Sequence, residues 1–201
     1  TSVGKPERMQ QIVSLVSKET EPIIVVLSAL SGTTNALVEI GNHIANGDRG
    51  TAKQTIDKLE KHYQDFISEL VKQPATSEKA KVIVAEHFEF LNIILKISFS
   101  EALSKDILAQ GELLSTKIFS VYLEELGIDH LFLPALEFMT IDHYDEPQIG
   151  SIKVKLSQIL NQHKDKKLFV TQGYICRNTR GEVDNLKRGG SDYTASLLGA
   201  A

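Results

Sequence analysis

The residue types best suited to chemistry stand close to the C-terminus, in Arg188-Gly189-Gly190-Ser191-Asp192-Tyr193-Thr194-Ala195. Paired glycines let a backbone turn tightly and approach a ligand, and the Ser191-Asp192 pair offers N-cap chemistry for a helix expected to start near Tyr193. The N–H groups of such a helix start, the Arg188 guanidinium and the Ser191 hydroxyl together suit a carboxylate or a phosphate. A glycine turn followed by an ordinary capped helix accounts for the same stretch, so the motif needs support from elsewhere in the chain.

Two other segments offer matching groups. Pro22-Ile23-Ile24-Val25-Val26-Leu27 is a β-branched apolar run that suits a strand buried on both faces of a parallel sheet. It ends in Ser28-Ala29-Leu30-Ser31-Gly32-Thr33-Thr34-Asn35, a loop of small hydroxyl residues feeding a helix, at the strand end where ligands collect in open α/β sheets. Thr34 or Asn35 also reads as a plain helix cap. Gln110-Gly111-Glu112-Leu113-Leu114-Ser115-Thr116 reads as the opening of a helix that runs to Gly127. There Gly111 allows close approach and the Glu112 carboxylate meets the positive end of the helix dipole. A helix-start charge explains Glu112, although a ligand ammonium would make better use of it.

Several elements must position these groups. Pro6 opens a helix carrying Met9, Ile12, Val13 and Val16 at helical spacing. Residues 51–108 read as mostly helical, with a break at Pro74; His62 and His87 within them fit no metal-ligand spacing and are expected at surface or boundary positions. His130-Leu131-Phe132-Leu133 and Lys167-Leu168-Phe169-Val170-Thr171 read as strands flanking a helix through Ile152, Val154, Leu156, Ile159 and Leu160. Gln172-Gly173-Tyr174-Ile175 reads as a continuation of the second strand, and Asn178-Thr179-Arg180-Gly181 as a turn. Helices alternating with short buried strands predict an α/β fold, a three-layer α/β/α sandwich with a mainly parallel sheet.

Composition bounds the rest. A chain of 201 residues with 42% hydrophobic content buries a substantial core, and one domain is expected. The net charge of -4, with mixed signs, argues against nucleic acid and membrane surfaces as partners and for small ones. The single cysteine, Cys176, permits no internal disulfide and reads as a small core or strand residue. With no apolar run of spanning length and no signal pattern, the expected location is cytoplasmic. Thr1-Ser2-Val3-Gly4 reads as a loop already in progress, so residues are expected before Thr1.

Taken together, four blocks resemble the aspartate kinases. Val25-Val26-Leu27-Ser28-Ala29 with Gly32, Thr34 and Asn35, then Gly111-Glu112-Leu113-Leu114-Ser115, then Thr171-Gln172-Gly173-Tyr174-Ile175, then the Arg188–Ala195 stretch occur in that family's order and approximate spacing. Thr1-Ser2-Val3-Gly4 resembles the tail of its Lys-Phe-Gly-Gly-Thr-Ser motif, and the resemblance covers essentially the whole chain. It implies the amino acid kinase fold and transfer of a phosphoryl group from ATP, with Mg²⁺, to the side-chain carboxylate of L-aspartate. The product would be 4-phospho-L-aspartate, a precursor of lysine, threonine and methionine.

By that resemblance, Arg188 clamps the α-carboxylate and Glu112 receives the α-ammonium. Thr34 and Ser191 orient the substrate, and Tyr174 lines the pocket. Asp192 organises catalytic lysines, and Ser28 lies near the transferring phosphate. The family's first lysine would precede Thr1, and its nucleotide-binding half would follow Ala201. The chain is therefore expected to be the aspartate-binding lobe, incomplete at both ends and inactive in isolation, of an enzyme that forms homo-oligomers. Lys187 stands where the family usually has glycine, and Val183-Asp184-Asn185 replaces a common threonine-rich run. An enzyme acting on another acid, such as glutamate, and a non-catalytic amino-acid-binding fragment are the competing readings.

Overall fold

The computed structural model describes residues 3–186 and 189–201. Helix α1 (Pro6–Val16) carries proline in its first turn, where no intrahelical partner for an N–H is lost, and buries Met9 and Val13. Strand β1 (Ile23–Leu27) leads into α2 (Thr33–Ala45), α3 (Arg49–Leu70), α4 (Pro74–Ile94) and α5 (Glu101–Glu125). Then come β2 (Leu131–Leu133), α6 (Ala135–Phe138), α7 (Ile149–Gln162), β3 (Leu168–Gln172), β4 (Ile175–Arg177), β5 (Val183–Asn185) and α8 (Gly190–Ala200).

Strand order is β1-β3-β2, all parallel, with Ile23 opposite Leu168, Leu27 opposite Gln172 and Leu133 opposite Thr171. Alternation along the strands makes the layers. Leu168 and Val170 of β3, with Ile23, Val25 and Leu27 of β1, join a core built with α1 to α5. Phe169 and Ile24 point the other way, into a second core with Leu133, Phe138, Ile152, Leu156 and Leu197. The chain is thus an α/β fold with a parallel sheet between helical layers. Among the described residues no helix is long and apolar enough to cross a membrane.

Four local expectations are corrected. First, α5 starts nine residues before Gln110, at Glu101, where the Ser100 side chain accepts the Leu103 N–H at 3.1 Å. Buried residues surround this helix, from Ile107 and Ala109 through Leu114, Ile118 and Val121, so its apolar positions blur into no single stripe. Second, the strand through Val170 stops at Gln172. Tyr174 takes φ 66°, and Ile175-Cys176-Arg177 pairs antiparallel with β5 in a separate ribbon. Third, neither glycine-led helix is capped by a hydroxyl or carboxylate: Gly32 and Gly189 are the N-caps of α2 and α8, with φ 84° and 81°. Thr34, Ser191 and Asp192 therefore sit inside first turns rather than at caps. Fourth, His87 is buried, its Nδ1 lying 2.6 Å from Gln110 Oε1 and its Nε2 3.0 Å from Lys117 Nζ. Burial, then the Lys117 charge, push its pKa down to about 4, so the ring is neutral.

Candidate functional site

The carboxyl ends of β1 and β3 open into a cavity of about 800 Å³. Ser28 follows β1; Thr34 comes from the first turn of α2, and Glu112 from the middle of α5. Tyr174 lies in the bend after β3, and Ser191 and Asp192 in the first turn of α8; all six line this one cavity. The structure thus brings together every expected site residue that lies among those described. Lys187 and Arg188 lie outside the described residues.

Helix α5 is fixed to the loop after β1 by residues on one of its faces. A side chain at Gly111 would place its Cβ 2.7 Å from the Ala29 Cβ, closer than real Cβ atoms approach, so only glycine lets the helix in. Glu112 Oε1 then accepts the Ala29 N–H at 3.1 Å, and Ser115 Oγ donates to the Ser28 carbonyl at 2.7 Å. Thr116 Oγ1 donates to the Glu112 carbonyl at 2.7 Å and accepts from Gln172 Nε2 at 3.1 Å. Gln172 Oε1 in turn accepts the Ala135 N–H at 2.8 Å.

Glu112 is 4% exposed, and its Oε2 is buried with no partner among the described residues. Its expected position at a helix start is wrong. Mid-helix, the carboxylate gains nothing from the dipole's positive end, which acts within the first turn. Burial pushes its pKa up to about 7, against the lowering effect of the Ala29 N–H. A buried carboxylate with one oxygen bonded and the other idle in a cavity wall is a site for a cation or a strong donor.

The far wall is built by close packing around the β3 bend. A Cβ on Gly173 would fall 2.5 Å from the Ser191 side chain, so glycine is required for α8 to approach. Thr194 Oγ1 accepts the Tyr174 N–H at 3.1 Å and donates to the Gly190 carbonyl at 2.7 Å, tying α8 to the bend. Burial, then the Glu112 and Asp184 charges, push the Tyr174 hydroxyl up to about 12, so it stays a neutral donor. Cys176 is buried in β4 with its thiol pushed up to about 12, chiefly by burial, and is unreactive where it lies.

Two lining residues escaped the motif reading. Lys105 precedes Glu112 by seven positions on α5, two helical turns, and Leu108 between them lines the cavity too. That spacing could have flagged it. Lys105 Nζ lies 2.7 Å from Asp184 Oδ1. Asn185 stands out in the sequence only as part of the departure from a threonine-rich run, and no spacing points to the cavity.

A model of the amino acid kinase family matches residues 1–201. The chain is 31% identical over 193 residues to the bifunctional aspartokinase/homoserine dehydrogenase 2 of Escherichia coli, covering 94% of this chain and 24% of that one. It is 30% identical over 206 residues to the lysine-sensitive aspartokinase 3 of Escherichia coli, covering 100% and 44%. Against aspartokinase 2, chloroplastic, of Arabidopsis thaliana it is 32% identical over 214 residues, covering 100% and 38%. The crystal structure of E. coli aspartokinase III in complex with aspartate and ADP superposes with a TM-score of 0.82 at 26% identity, covering 98% of this chain and 44% of that one. The chain thus spans less than half the length of each of these relatives. With the family model matching from end to end and the parallel sheet placing the four motifs around one cavity, the chain belongs to the amino acid kinase family.

Proposed function

We propose that residues 1–201 form the aspartate-binding lobe of an aspartate kinase, which transfers a phosphoryl group from ATP to the side-chain carboxylate of L-aspartate. The observation that carries this reading is Glu112 Oε2, buried and unpartnered among the described residues at the cavity wall. An α-ammonium donates there, and its positive charge favours the ionised carboxylate. The α-carboxylate goes to Arg188, the one group of the proposed set outside the described residues. The hydroxyls of Thr34 and Ser191 orient the substrate, with Tyr174 as a wall.

The side-chain carboxylate of aspartate is already ionised at neutral pH, so no general base is needed. The lobe's work is positioning, with the nucleophile held toward the Ser28 loop at the strand ends. Asp192, in the first turn of α8, serves to orient cationic groups that meet the transferring phosphate. Mg²⁺, when bound with ATP, would supply charge neutralisation to the phosphates. Among the described residues no three His, Cys, Asp or Glu side chains converge to hold such an ion.

The test is aspartate-dependent ADP release by the full-length protein, with glutamate as the competing acceptor. Glu112→Gln and Arg188→Ala are each expected to lower kcat/KM for aspartate by about 2–5 kcal/mol, because each removes a charge matched to one substrate group. Near-native kcat/KM in both variants, or faster turnover of glutamate by the wild type, would overturn the assignment.

A further inference from the structure

Strand β5 packs against α5 at the cavity wall, and Asn185 is its last residue. Asn185 lines the cavity together with Leu186 and with Gly190, Ser191 and Asp192 of α8. Both polar atoms of its carboxamide, Oδ1 and Nδ2, are buried and have no hydrogen-bond partner among the described residues. Its backbone is held in place: the Asn185 N–H donates to Asp184 Oδ1 at 2.7 Å, and that carboxylate is paired with Lys105 Nζ at 2.7 Å. A carboxamide that leaves its NH2 and its carbonyl oxygen both idle in a buried wall bears a desolvation cost that a ligand can relieve.

We infer that Asn185 is a specificity residue of this cavity, whose carboxamide pairs with the ammonium and the carboxylate of an α-amino acid. The inference rests on the proposed function of the cavity and deepens it. An amide presents an acceptor and a donor side by side. An α-amino acid presents a donor and an acceptor on two groups attached to the same carbon, so the two sets are complementary. A dicarboxylate without an ammonium satisfies only Nδ2. Glu112 Oε2, likewise buried and unpartnered among the described residues, demands a cation and supports the same orientation. The pair therefore selects the zwitterion twice, once by charge and once by hydrogen-bond pattern.

The experiment uses the full-length protein and two variants, Asn185→Leu and Asn185→Asp. Its readouts are KM and kcat for aspartate, inhibition by succinate, which lacks the ammonium, and by β-alanine, which lacks the α-carboxylate, and the melting temperature with and without aspartate. Asn185→Leu removes two idle buried polar atoms, so its ligand-free melting temperature is expected to hold or rise. Its KM for aspartate is expected to rise roughly tenfold or more, with kcat changed less, and its aspartate-induced thermal shift to shrink. Its preference for aspartate over succinate falls with them. Asn185→Asp sets a second negative charge against the α-carboxylate, so KM for aspartate rises further while β-alanine inhibits as in the wild type.

A KM within twofold of wild type in Asn185→Leu overturns the inference. So does a lowered ligand-free melting temperature with unchanged preference for aspartate over succinate, which marks a structural residue. A wild-type protein that neither turns over aspartate nor is stabilised by it overturns instead the function on which the inference rests.

Discussion

At the scale of single residues, Glu112 sets a pH dependence with a definite sign. Its carboxyl is pushed up to about 7 in the folded chain, from an ordinary 4.5, because burial penalises the charged form. The folded state therefore binds this proton more tightly than the unfolded one. The associated stability is fully present below pH 4.5 and is lost as pH rises through about 7. Glu112→Gln keeps the shape and discards the charge. In urea unfolding of the ligand-free protein it is expected to exceed wild type by about 3 kcal/mol at pH 8 and by less than half of that at pH 5.5. An equal difference at both pH values would mean that the carboxyl does not titrate near 7. The substrate ammonium needs the ionised form, so KM for aspartate in the full-length wild type is expected to fall roughly tenfold from pH 6 to pH 8. A flat profile would separate Glu112 from substrate binding.

At the scale of elements, the contact between α5 and the loop after β1 decides whether the site forms. Gly111 is an unfavourable residue for the interior of a helix, by about 1 kcal/mol relative to alanine. It is nevertheless required, because the Ala29 Cβ occupies the place its own Cβ would take, and Thr33 Cγ2 stands only 3.3 Å away. Gly111→Ala is expected to destabilise the protein by about 1–3 kcal/mol through overpacking, less the helix-propensity gain. It also shifts the Ala29 N–H off Glu112 Oε1 and raises KM for aspartate. The compensating pair Ala29→Gly with Gly111→Ala restores the space and should recover much of both losses. Thermal melts and kinetics of the two single variants and the double check this, and failure of the double to recover would place the strain elsewhere.

At the scale of the whole molecule, Gln172 joins the layers. It ends the central strand, donates to Thr116 on α5 and accepts from Ala135 at the start of α6, and it is 1% exposed. Replacing it by an apolar residue of similar length leaves the Ala135 N–H without its partner. Gln172→Leu is therefore expected to cost about 2–3 kcal/mol in denaturant unfolding, more than a surface glutamine such as Gln64. A cost below about 0.5 kcal/mol would mean that the layers do not depend on this bridge.

Much of this organisation is legible along the chain. Proline at the starts of α1 and α4, the β-branched run of β1 and the apolar alternation around β3 act within a few residues of themselves, so strands, helices and the parallel sheet follow from local pattern. The four blocks gathered around the cavity are legible for the same reason, since each is a short contiguous string. What tertiary structure decided is longer in range. The hydrogen bond that holds Glu112 spans 83 positions, and the burial that raises its pKa comes from elements distant in sequence. The start of α5 is obscured because the helix is buried over most of its circumference and shows no single apolar stripe. The glycine N-caps of α2 and α8 displaced the hydroxyl caps that local preference favours, because the positive φ taken at those two positions mattered more than a cap bond. Lys105 is legible only through its two-turn spacing from Glu112 on α5, whereas Asn185 reaches the wall because β5 packs against α5, and no string of neighbouring residues records that contact.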